Sequence, residues 1–177
     1  MPNTDAEVAA TALAGVLETM DRQIAELETL LLSHEATLAE RARASDEWTA
    51  AQVADHLLRV HAGALKACSE WKPMPRRAPS LAMKRRVVRW ILKRGIRVPV
   101  KGAFPEVAPD AELAPLLERI VQLHRTLKKK LSRADDLTLQ MLIHPVAGPL
   151  SVEESVDFVS GHLEYHLIQL RGLAKGR

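Results

Sequence analysis

At 177 residues, 47% apolar and 27% charged, the chain has the size and balance of one soluble globular domain, residues 1–177. Aromatics at 3% leave a core of Leu, Val, Ile and Ala, which favours helix packing over a sheet sandwich, and the single cysteine, Cys68, excludes an internal disulfide. The opening MPNTDAEVAA lacks the basic-then-apolar pattern of a secretory signal and no run reaches the ~18 apolar residues of a membrane span, so a cytoplasmic protein is expected.

Three capping boxes mark helix starts: Thr4 with Glu7, Thr49 with Gln52, and Ser151 with Glu154, each a hydroxyl followed three residues on by Glu or Gln. The first opens a helix to about Arg41, with a seam of Leu13, Leu17, Met20, Ile24, Leu27 and Leu31 in steps of four and three. The second runs from Ala50 to about Trp71, its stripe read as Val53, Val60, Ala64 and Trp71, and Pro73, Pro75 and Pro79 then stop it.

An insertion follows, approximately residues 72–109. Between Trp71 and Pro105 lie 11 Lys/Arg and no Asp or Glu, leaving 14 basic against 22 acidic residues elsewhere. A short basic helix is expected at Leu81–Arg94, then an irregular segment through Pro99, Pro105 and Pro109. The third long helix starts between Asp110 and Pro115 and ends near Ser132, with Leu113, Leu117, Ile120, Leu127 and Leu131 inward and Leu116 and Val121 at the edges. A short segment at Leu137–Ile143 and a turn over His144–Pro149 lead to the fourth, Ser151–Arg171, whose core face is Val152, Val156, Val159, Leu163, Leu167 and Leu170. No strand-like alternation of useful length is seen. These elements predict an all-α four-helix bundle with a basic helical insertion between helices two and three.

Histidines carry the functional signal. His162 and His166, at i and i+4, project from one face of the fourth helix. At 100° per residue, His166 falls about 20° and His162 about 60° from Val159, and His56 falls about 60° from Val53 and 40° from Val60. Three imidazoles from two helices therefore face the interior and could share one metal ion with coordination positions left open. His124, on the stripe of the third helix, and His34, beyond Leu31, also face inward, and a lone inward histidine is commonly a hydrogen-bonded core residue. Both readings stand on the residues alone. His61, off the second stripe, is expected to be partly solvated, as is His34. His144 reads as a turn residue bonding local backbone or lining the mouth of a site, Gln169 as a polar neighbour of His166 or a solvent-facing residue, and Cys68 as a small core residue too far along the helix to be a ligand.

The segment His162-Leu-Glu-Tyr-His166-Leu-Ile-Gln169 resembles the last-helix signature of the DinB-like superfamily, and Trp48-Thr-Ala-Ala-Gln-Val-Ala-Asp-His56-Leu57 resembles its second-helix motif. The turn His144-Pro-Val-Ala-Gly-Pro-Leu150 is similar to one in a branch of that superfamily; Tyr165 departs from relatives with a further histidine there. The resemblance implies a DinB-like four-helix bundle in which His56, His162 and His166 hold a divalent metal, zinc or nickel. It further implies a metal-dependent enzyme that activates water or a low-molecular-weight thiol toward a small-molecule substrate, as a hydrolase or a thiol-dependent transferase. A competing class is a non-catalytic module that binds nucleic acid or an anionic membrane through Lys84, Arg85, Arg86, Arg89, Lys93, Arg94, Arg97 and Lys101. Alternatively the basic helix is a lid with its apolar side on the bundle and its charges in water. The apolar seam is also compatible with a homodimer.

Overall fold

The computed structural model describes residues 4–44, 48–96 and 111–174. Helix α1 (Thr4–Ser33) buries all six seam residues from Leu13 to Leu31. It is separated from α2 (Glu35–Ala44) by one turn residue, His34, whose Nδ1–H donates to the Leu30 carbonyl at 2.9 Å. The single helix expected to Arg41 is thus two, with the Leu38 amide bonded back to His34 across the joint.

Helix α3 (Ala50–Ala67) starts at Thr49 with both arms of its capping box formed, so two donors of the first turn are satisfied locally. It ends at Cys68, short of Trp71. Basic helix α4 (Ser80–Arg94) closes on Gly95, whose φ of 60° is the left-handed conformation that spares a helix end its Cβ penalty. An ideal Cβ at Gly95 would also lie 2.7 Å from Cγ2 of Ile168, so the close approach needs glycine twice over. The expected irregular segment, Asp110, Arg97 and Lys101 lie outside the described residues, as does any description of the Thr4 side chain.

Helix α5 (Leu113–Leu131) buries the five expected leucine and isoleucine positions and Leu116 as well. A feature not expected follows: strands β1 (Gln140–His144) and β2 (Gly148–Ser151) form an antiparallel hairpin. Helix α6 (Val152–Ala174) leaves β2 through the Ser151–Glu154 capping box, with arms of 3.0 and 3.1 Å, and buries every residue of its expected core face.

The bundle core lies among α1, α3, α5 and α6, with α3 packed on α5 and α1 on α6. The α1–α6 contact is edged by a polar clasp. Arg171 reaches both carboxylate oxygens of Glu26 at 2.7 Å and Glu164 at 2.6 Å, while Gln23 bonds Glu164 and accepts from Ser160. Glu154 does three jobs at the start of α6: it caps the helix, takes a two-pronged bond from Arg77 at 2.8 and 2.7 Å, and pairs with Arg85 at 3.4 Å. The basic segment is thereby tied to the helix that carries two of the three candidate histidines.

Candidate metal centre

The buried faces that stabilise α3 and α6 also aim their histidines. Val53, Leu57 and Val159, Leu163 lock the two helices into the core, and His56, His162 and His166 sit beside them on the same faces. The three rings meet: centroids are 5.0 Å apart for His56 and His162, 5.3 Å for His56 and His166, and 4.8 Å for His162 and His166. Nε2 of His56 stands 3.2 Å from Nε2 of His162, and one nitrogen from each residue lies within 4.8 Å of the others. Two nitrogens bound at 2.0–2.1 Å to a tetrahedral ion are about 3.4 Å apart. The closer pair already matches that spacing, and the widest would draw together by about 1.4 Å at most.

Burial dominates the electrostatics. It pushes the His56 imidazole down to about 4, with the Arg59 cation adding to the shift and Asp55 opposing it. His166 falls to about 3 through burial and then the nearby His56, against a hydrogen bond that its ring N–H donates to Gln169. His162 is driven well below its ordinary value by burial, then by the surrounding histidines. All three are therefore neutral at pH 7, the state in which imidazole offers a lone pair. His162 Nδ1 and His166 Nε2 are buried with no hydrogen-bond partner among the described residues. Unpaired polar atoms in a core cost stability, and several neutral nitrogen donors around one point suit a borderline divalent cation.

The other candidates separate cleanly. Gln169 bonds the His166 side chain, the first of the two roles open to it from the sequence. His144 Nδ1 accepts from the Val146 and Ala147 amides at 3.1 and 2.9 Å; its ring meets Phe158 edge-on at 4.8 Å, and Phe158 stacks on His162. It is a turn residue at the margin of the site. Asp55 pairs with Arg59 at 3.2 Å. His124 is a core histidine bonded to Asp21 at 2.8 Å, outside the trio. Cys68 is half-buried at the end of α3, its thiol pushed up to about 11 by burial.

His61 corrects the sequence reading: it is fully buried, with Nδ1–H donating to the Leu57 carbonyl at 2.9 Å, and meets His124 edge-on at 6.0 Å. The α3 stripe is centred on Ala54, Leu57 and Leu58 rather than on Val60, which is only half-buried. Trp48, given no role from the sequence, covers His56 with ring centroids 5.1 Å apart. It precedes the helix, so helical spacing carried no sign of it.

A family model of the DinB superfamily matches residues 19–170, a span that contains all three histidines. The chain belongs to the DinB superfamily. No curated protein and no solved structure matches it. For a DinB-superfamily bundle the trio is the natural place to look for chemistry, since among the described residues it is the group of three metal-ligating side chains drawn to one point.

Proposed function

We propose that His56, His162 and His166 hold one divalent metal ion, zinc or nickel, and that the protein is a metal-dependent enzyme acting on a small molecule. The observation that carries this reading is the convergence of three neutral imidazoles, two of them with a buried nitrogen that lacks a partner among the described residues. A bound ion would supply Lewis acidity, making a water or a low-molecular-weight thiol nucleophilic near neutral pH. Three protein ligands leave room for that nucleophile, as catalytic rather than structural sites do.

The chain's own residues set the rest. Gln169, bonded to the His166 ring, holds its orientation. Trp48 and Phe158 wall the imidazoles with apolar surface, which keeps them neutral and limits water. A hydrolase and a thiol-dependent transferase both fit this frame, and a reducing cytoplasmic setting agrees with the lone Cys68.

The test is metal analysis of purified protein with His162→Ala alongside. Stoichiometric zinc or nickel that disappears in the variant is expected, followed by turnover that depends on an added thiol or on water alone. A metal-replete preparation that retains no ion ends the proposal.

A further inference from the structure

Helix α4 is apolar on two opposite sides. Its inner side, Leu81, Val88 and Leu92, rests against the hairpin and α6, where ideal Cβ atoms on Gly148 and Gly161 would touch Leu81 at 3.0 Å and Leu92 at 3.5 Å. The outer side carries Met83, Val87 and Trp90, which are 62%, 46% and 51% exposed. At 100° per residue these three fall within about 60° of arc, with Arg94 in the same arc and Arg86 and Lys93 along one flank, Lys84 along the other. The Arg94 guanidinium lies over the Trp90 ring, 5.5 Å from its centroid.

The cations divide in the same way. Arg77 and Arg85 are taken up by Glu154, and Arg89 by Asp157 at 2.6 Å. Lys84, Arg86 and Lys93 make no ion pair among the described residues, and no acidic residue lies between Trp71 and Pro105. The outward face is thus an apolar stripe between rows of uncompensated positive charge.

We propose that this face of α4 seats the protein on an anionic lipid surface. Charge complementarity selects an anionic partner. The stripe selects lipid over nucleic acid: phosphates reward cations, but Met83 and Val87 leave water only where there is an acyl-chain boundary to enter. Trp90, ringed by cations, suits the headgroup level. The helix lies on the membrane and does not cross it, since no described helix is long and apolar enough to span. Its inner side keeps its place on α6 throughout. This inference is independent of the metal reading.

The experiment is flotation of the full chain with phosphatidylglycerol-containing vesicles, with pure phosphatidylcholine vesicles and with duplex DNA as a competitor. Partition onto the anionic vesicles alone is expected, weakening with added salt, accompanied by a blue shift of tryptophan emission that Trp90→Ser abolishes. Lys84→Gln, Arg86→Gln and Lys93→Gln should each lower partition roughly fivefold. All of these side chains are exposed, so unchanged circular dichroism and melting are expected to accompany the losses. Equal partition onto phosphatidylcholine, partition untouched by the variants, or binding to DNA without binding to vesicles would each overturn the proposal.

Discussion

His56 Nε2 and His162 Nε2 face each other at 3.2 Å across 106 positions of chain. A hydrogen between them makes one N–H···N bond and uses the lone pair of one ring only, and burial holds both rings neutral. A cation between the rings would engage both lone pairs at once, which gives the trio a measurable signature in stability.

Zinc or nickel at a hundredfold excess over its dissociation constant should add about 2.7 kcal/mol to the stability of the metal-free protein. For a chain of this size that raises Tm by roughly 5–10 °C, and a chelator should reverse it. In His162→Ala the gain should vanish. The metal-free variant should melt close to wild type, because loss of an unpaired buried nitrogen offsets the cavity left behind. Scanning calorimetry with and without metal checks both.

Acid should destabilise the metal-free protein in a defined window. His61, fully buried, is pushed down to about 4 by burial, against the bond to Leu57, whereas the unfolded chain protonates it near 6.5. Above 6.5 both states are neutral and its contribution is whole. Between 6.5 and 4 only the unfolded state takes the proton, so stability falls as pH falls, by about 1.4 kcal/mol per pH unit and roughly 3 kcal/mol in total. His56 adds to the slope over the same range. Glu154 is shifted in the same direction: burial raises its carboxyl, but bonds from Arg77 and the Ser151 amide outweigh that and hold it below its ordinary value. Urea unfolding at stepped pH should show the slope, and His61→Gln should reduce it by one proton.

Glu154→Ala should destabilise by about 2 kcal/mol, combining a lost cap with two stranded, part-exposed arginines. Glu154→Gln, able to cap but not to pair as an ion, should recover about half. Thermal melts of the three proteins separate the two contributions.

Gly95→Ala should cost about 1–2 kcal/mol, because its φ of 60° penalises a Cβ and that Cβ would press on Ile168. Pairing it with Ile168→Ala tests the cause: the contact part of the loss should be relieved and the backbone part should remain.

Much of the bundle was legible because its signal is periodic. Leu13 to Leu31 on α1 and Val152 to Leu170 on α6 repeat at helical spacing, and every one of those named is buried. The same periodicity brought His56, His162 and His166 to one face each. The hairpin was not legible: its strands have five and four residues, and an irregularity between Gln140 and Leu142 breaks the alternation that would reveal them. His61 was misplaced because alanine is a faint marker. Ala54, about 20° from it around the helix, and Leu57, about 40° away, define the true centre, while Val60 drew the stripe aside. Trp48 reaches His56 by tertiary folding, beyond any spacing rule.

No residue of α4 is fully buried, so the helix is held by the half-buried Leu81 and Leu92 side and by the Arg85–Glu154 and Arg89–Asp157 pairs, with Arg77 on Glu154 anchoring the segment just before it. Attachment of that kind depends on ionic strength in a way that a leucine core does not. High salt should let the amide hydrogens of α4 exchange with solvent while those of α1 and α6 stay protected, making the segment a separately yielding part of an otherwise cooperative molecule.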